Sequence, residues 1–287
     1  MNRGKLAQMP SGQPTAELAG KTAIVTGGGR GLGRAMALGL ARAGANVVIT
    51  AVRGRREIQS VADEARAAKS GVVRALTADV TSEEDCRSAV GEALREFGAI
   101  HILVNNAGRG MRFVSETFLE APTRFWQTDP AVWRMIVDTN VNGPFLMARA
   151  AAPHMIRQRW GRIVNISMNY ETMRRAGFSP YGPSKAALEA ETLIWAQDLA
   201  ETGVTVNALL PGGATDTGMV PADVAPQIRK RLLRAEIVVP PLLWLASEVS
   251  GGVTGARFVA SLWDSSLPLA EAAQGACSTE GAIVPAS

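Results

Sequence analysis

Tyr181 and Lys185, in the run YGPSK, set a phenol and an ammonium four residues apart, on one face of a helix. A phenol with an ordinary pKa of about 10 is a poor acid or base at neutral pH. An ammonium beside it favours the phenolate and lowers that value, which turns the phenol into a proton shuttle. Upstream, the apolar run RIVNIS (162–167) ends at Ser167 and Met168 follows. A second stretch, TGGGRGLGRAM (26–36), leads from an apolar run into a helical pattern. Its glycines Gly27, Gly31 and Gly33 permit a tight turn. They also let backbone N–H groups approach a pyrophosphate at a helix N-terminus. Their spacing is not the generic G-x-G-x-x-G.

These groups need a frame, and the hydrophobic pattern supplies one. Seven short apolar runs read as strands: TAIVT (22–26), NVVITA (46–51), VVRALT (72–77), IHILVN (100–105), RIVNIS (162–167), VTVNALL (204–210) and ARFVA (256–260). Helical patterns lie between most of them, with an apolar stripe at Ala187, Leu188, Ile194, Trp195 and Leu199 in the last long one. Continuous apolar strands alternating with helices predict an α/β chain, with about seven parallel strands covered on both faces. Right-handed crossovers make this a single-domain, Rossmann-type doubly wound fold that binds ligands at the carboxyl ends of its strands. The expected organisation is a polar N-terminal arm (1–19), one domain (20–264) and a C-terminal extension (265–287).

The 287 residues carry a net charge of +4 with no dense basic run interleaved with aromatics, which argues against nucleic-acid binding. The densest basic run, IRKRLLR (228–234), reads as one helix face. Cys86 and Cys277 make no disulfide framework, no residues show metal-ligand spacing, and His101 reads as a core residue. No apolar stretch is long enough to span a membrane, so the expectation is a soluble, cytoplasmic protein.

TGGGRGLG, ADV (78–80), NNAG (105–108), TNVNG (139–143), YGPSK and PGG (211–213) occur in that order. In this the sequence resembles the classical short-chain dehydrogenases/reductases from about Gly20 to about Asp264. The resemblance implies a nicotinamide dinucleotide and hydride transfer between a secondary alcohol and a carbonyl of a small molecule. It places Gly27, Gly31 and Gly33 at the pyrophosphate, Arg30 and Leu32 on the cofactor beside them, and Asp79 and Val80 against the adenine. Asn106, Ala107 and Gly108 fall beside the ribose, and Pro211, Gly212, Ala214 and Thr217 near the nicotinamide. Thr215 competes with Thr217 for the carboxamide contact. Tyr181 and Lys185 contact cofactor as well as substrate. At the end of the second strand Ala51 stands where NAD-binding relatives carry an acid. Arg30 and Arg53 suit a 2′-phosphate, so NADP(H) is preferred over NAD(H). A homodimer or homotetramer is implied too.

Asn140 matches the family asparagine that bends a helix and holds a water in the proton relay. The family serine, donor to the substrate oxygen, falls at Met168. Ser167 is the expected substitute if a bulge or early turn rotates it inward. Asn169 and Thr172 are further candidate donors. The competing expectation is a dinucleotide-binding relative with weak or no activity. The surplus segment 110–130, with Phe113, Phe118, Phe125 and Trp126, is expected at the mouth of the site, packed as a flap. Residues 219–241 form a lid.

Overall fold

The structure, a computed structural model, describes residues 18–220 and 226–278. In order, the elements are β1 (Thr22–Thr26), α1 (Gly31–Arg42), β2 (Asn46–Ala51), α2 (Arg55–Ala67), β3 (Val73–Thr77), α3 (Glu83–Phe97) and β4 (Ile102–Asn105). Next come α4 (Pro130–Val137), α5 (Gly143–Arg157), β5 (Gly161–Ile166), α6 (Tyr170–Met173), α7 (Tyr181–Asp198) and β6 (Val204–Leu210). The chain continues through α8 (Pro226–Arg229), α9 (Val239–Leu245), β7 (Arg257–Val259), α10 (Leu269–Ala276) and β8 (Cys277–Ser278).

The strands form one sheet in the order β3-β2-β1-β4-β5-β6-β7-β8, parallel throughout except for β8. Alternate side chains of each strand enter opposite cores, as the two-residue strand period requires. Ala23, Val25, Ile102, Val104 and Val164 join Met36 and Leu40 of α1 and Leu242 of α9 on one face. Ile24, Leu103 and Ile163 meet Val90 of α3 and Met147 and Met155 of α5 on the other. Each such fully buried aliphatic side chain stabilises the fold by roughly 1.5–3 kcal/mol. Because β1 pairs with both β2 and β4, the strand order reverses beside β1 and opens a crevice at the carboxyl ends.

The doubly wound α/β fold is as expected, with an eighth strand beyond the seven anticipated. Leu269–Ala276 forms a helix, and Cys277–Ser278 pairs antiparallel with β7. The 228–234 run differs from its expectation. Its helix stops at Arg229, and the Leu233 amide donates to Ala214 O at 2.8 Å, tying this part of the lid to the loop after β6. His101 is half-buried rather than in the core, and satisfied: Nδ1 accepts from the Thr22 amide at 2.9 Å and its ring meets Trp160 edge-on. Among the described residues no helix is long and apolar enough to cross a membrane. The expected arm lies outside the described residues up to position 17, and the extension does so beyond 278.

Two junctions fix the carboxyl-end geometry. Asn105 and Asn165 are register partners, and Asn105 Nδ2 donates to Asn165 Oδ1 at 2.8 Å. Asn165 Nδ2 in turn donates to Thr192 Oγ1 of α7 at 2.9 Å. The start of α7 is pressed against α6 so closely that a Cβ on Gly182 would lie 2.0 Å from Met173 O. Gly182→Ala is therefore expected to separate α6 from α7 and lower Tm by about 5 °C or more. Calorimetry checks this, and an unchanged Tm would mean that the contact yields cheaply.

Candidate active site

The strand-to-helix turn after β1 is shaped by its backbone. Gly27 and Gly31 have φ of 65° and 53°, conformations that side chains rarely adopt. A Cβ on Gly33 would stand 2.1 Å from Gly27 O, so the turn closes only without one. Thr26 and Asn106 lock it. Thr26 Oγ1 accepts from the Asn106 and Ala107 amides, both at 3.0 Å. Asn106 Nδ2 donates to Thr26 O at 2.8 Å and Gly27 O at 3.1 Å. The Asn106 side chain thus braces the turn, while its edge faces the crevice.

That crevice is a cleft of about 580 Å³, lined by Gly27, Arg30, Gly31, Leu32, Gly33, Ala51, Arg53, Asp79, Val80, Asn106, Ala107, Gly108 and Thr217 among others. A glycine cradle backed by a strand crevice of this size fits a dinucleotide. Arg30 leans only loosely on Glu57, 4.0 Å away, and its side chain is 72% exposed. Of the two competing threonines, Thr217 faces the cleft, and a Cβ on Gly31 would lie 3.0 Å from its Cγ2. Thr215 is buried, with its hydroxyl donating to Gly213 O at 3.3 Å. Pro211, Gly212 and Ala214 lie off these walls, where Gly212 O accepts from Asn169 Nδ2 at 3.0 Å.

Sequence reasoning missed Glu57, Arg109, Arg112 and Met219, which also line the cleft. Arg109 donates through Nε to Thr139 Oγ1 at 3.0 Å, and Arg112 through Nη1 to Gly218 O at 3.3 Å. The surplus segment and the lid therefore meet over the glycine turn. Within that segment Phe118 packs edge-on against Phe178, whereas Phe125 and Trp126 pack on each other and stay 66% exposed. The flap is held at Phe118 and open at its tip.

The proton-transfer candidates lie beside the cleft at the head of α7. Asn140 sits in a π-helical turn, Asp138–Asn142, between α4 and α5 and is fully buried. Its Nδ2 donates to Arg109 O and Ser184 Oγ, both at 2.9 Å, and its Oδ1 accepts from the Arg109 amide at 2.8 Å. Ser184 Oγ donates to Tyr181 O at 2.7 Å, so Asn140 braces the turn that carries both Tyr181 and Lys185. Lys185 is buried and donates through Nζ to Ile166 O at 2.7 Å. Burial pushes Lys185 down to about 8, with the Glu189 carboxylate acting the other way. Burial pushes the Tyr181 phenol up to about 12. The lowering expected from the neighbouring ammonium is thus overridden by desolvation in the free protein.

Ser167 is not turned into the site. Its amide still donates to Leu209 O at 2.9 Å, so no bulge intervenes and it keeps the facing of Asn165, toward α7. Its hydroxyl donates to Glu189 Oε1 at 2.5 Å. Asn169 has an amide hydrogen left beyond its bond to Gly212 O, and Thr172 lies half-buried in α6.

Residues 21–227 match the family model described as short chain dehydrogenase. A short-chain type dehydrogenase/reductase of Picea abies is 36% identical over 80% of this chain and 87% of its own length. The 3-oxoacyl-(acyl-carrier-protein) reductase of Aquifex aeolicus is 36% identical over 83% and 95%. The D-beta-hydroxybutyrate dehydrogenase of Rhizobium meliloti is 34% identical over 76% and 81%. Among solved structures, a short-chain type dehydrogenase/reductase from Mycobacterium marinum superposes with a TM-score of 0.75 at 31% identity, covering 85% of this chain and 95% of its own.

The Lys185 shift gives a stability prediction. A folded-state value of about 8 against an ordinary 10.5 means that the unfolded chain binds the extra proton in between. Wild-type stability therefore rises with pH across that window. Lys185→Met, which lacks the buried charge, is expected to be more stable than wild type at pH 7 by on the order of 2 kcal/mol. Urea unfolding at a series of pH values should show that advantage shrinking between about pH 8 and 10.5; a gap independent of pH would contradict it.

Proposed function

The chain belongs to the short-chain dehydrogenase family, and from that premise we propose that it is an NADP(H)-dependent oxidoreductase interconverting a secondary alcohol and a carbonyl. One observation carries the reading. Tyr181 and Lys185 stand at the head of α7, with Asn140 bracing their turn, beside a glycine-lined cleft at the strand-order reversal. Arg30 and Arg53 on that cleft, with Ala51 in place of an acid, support the phosphorylated cofactor. The relatives named for hydroxybutyrate and 3-oxoacyl substrates point a first search toward 3-hydroxy and 3-oxo acyl compounds. Exposed Phe145 and Ile156 on α5 and Ile194 on α7 support packing into a homodimer or homotetramer.

The bound dinucleotide supplies or accepts the hydride at the substrate carbon. In the reducing direction Tyr181 gives its phenolic proton to the carbonyl oxygen and is reprotonated from solvent. Lys185, held at Ile166 O, would hold the nicotinamide ribose of a bound dinucleotide and favours the phenolate that Tyr181 becomes. Asn140, its side chain committed to Arg109 and Ser184, fixes the turn that carries both. With Ser167 committed to Glu189, the second hydrogen bond to the substrate oxygen comes from Asn169. A second reading, a dinucleotide-binding relative with little activity, draws on that same commitment of Ser167 and on Met168.

Turnover of a 3-oxo and 3-hydroxy acyl panel, with both cofactors, tests the proposal. Expected are a preference for NADPH over NADH that Arg30→Ala reduces by about tenfold, and turnover lost in Tyr181→Phe. Asn169→Ala should lower kcat by about 10²–10³. Tight NADPH binding with no turnover across the panel would favour the second reading. Faster turnover with NADH would overturn the cofactor assignment.

A further inference from the structure

One helical turn below Lys185, on the same face of α7, lies a carboxylate that the proton transfer just described does not use. Glu189 Oε1 accepts from Ser167 Oγ at 2.5 Å and from Arg257 Nε of β7 at 3.0 Å. Only 10% and 11% of the Arg257 and Glu189 side chains are exposed. The same guanidinium donates through Nη2 to Met168 O at 2.9 Å and lies 4.0 Å from the Tyr170 ring centre. The Tyr170 phenol also faces Glu189: burial first, and that carboxylate after it, hold the phenol up at about 12.

Stability gives little reason for such a group. Burying an ion pair costs several kcal/mol of desolvation per charge, and an apolar pair of similar volume would hold the fold as well. The geometry points to a use in the site. Three successive residues of the segment leaving β5 are held by two side chains of α7 and their partner. The Ile166 carbonyl goes to Lys185, the Ser167 hydroxyl to Glu189 and the Met168 carbonyl to Arg257.

We propose that Glu189 is a positioning residue for the Tyr181–Lys185 pair: it supplies the buried negative charge that keeps Lys185 an ammonium and, through Arg257, fixes the backbone at Met168. This deepens the reading of Tyr181 and Lys185 as the proton-transfer pair and rests on it. The groups facing Glu189 are Arg257 from β7, Tyr170 from α6 and Ser167 from the end of β5, with Arg174 5.0 Å from the Tyr170 ring centre beyond them. Lys185 is the titratable group it meets on its own helix, and Glu189 opposes the downward push of burial there. Glu189 thereby makes Ser167 a structural partner and leaves the loop after β5 in a fixed register although Met168 has no hydroxyl to give.

The test does not need turnover. The chain has five lysines (Lys5, Lys21, Lys69, Lys185 and Lys230), so ¹³C-lysine NMR resolves each titration, with Lys185→Met assigning the signal. In Glu189→Gln the Lys185 titration is expected to fall by about one pH unit, about tenfold in the ammonium-to-amine ratio. Glu189→Asp, which keeps the charge, should restore most of it. Should Glu189→Gln alone fail to fold because Arg257 is left unpaired, Glu189→Gln with Arg257→Met removes both charges, and Lys185 should still titrate below wild type. A Lys185 titration unmoved in the neutral variants, or moved equally by Glu189→Asp, overturns the proposal. Because the titration is read in the free protein, absence of dehydrogenase turnover would sink the functional reading without touching this result. Where turnover is found, its pH profile should shift in the same direction.

Discussion

Desolvation at the head of α7 sets the terms for everything around it. A phenol and an ammonium are placed where water is largely excluded, and exclusion penalises the charged form of each. Tyr181 is held protonated and Lys185 is pushed toward neutrality, in opposite senses on the pH scale. Tyr181 is then far from poised for proton transfer in the free protein. Charge brought into the pocket moves both: a positive charge beside Tyr181 favours its phenolate, and the Glu189 carboxylate holds the Lys185 proton. The side chains that frame this pocket are spent on rigidity. Asn140 uses both amide hydrogens and its oxygen on Arg109 and Ser184, and Gly182 exists to let α7 approach α6.

The cleft beside it follows from topology. Because β1 is flanked by β2 and β4, the helices after β1 and β4 diverge and leave the glycine turn facing open space. Polar groups then finish the site from distant parts of the chain. Arg112 of the surplus segment reaches Gly218 at the foot of the lid, and Arg109 anchors on Thr139 in the π-helical turn. These cross-links make the cleft positive near the turn, with Glu57 the acidic group that faces Arg30.

Much of this was legible in the sequence because it is local. The strands buried on both faces read as apolar runs, and all seven appear within a residue or two of their expected places. The glycine turn and the Tyr181–Lys185 spacing are also carried by neighbours in sequence. Ser167 shows where local reading stops. Strand parity argued against it, and parity held, because its amide stayed in the ladder and Glu189 offered its hydroxyl a buried acceptor. Glu189 and Arg257 are 68 positions apart, and no pattern along the chain joins them. The last strand was missed for a different reason. Cys277–Ser278 is short and polar, and becomes a strand only because β7 leaves an edge to pair with.

The central claim is that burial keeps Tyr181 protonated until positive charge arrives beside it. With only two tyrosines in the chain, Tyr170→Phe leaves one phenol whose ionisation can be followed by ultraviolet absorbance. In the free protein it should stay un-ionised up to about pH 11, as a value near 12 requires. Saturation with NADP⁺ should bring the titration down by at least about one unit. Ionisation at an ordinary value near 10 in the free protein, or a titration that NADP⁺ leaves in place, would contradict the account.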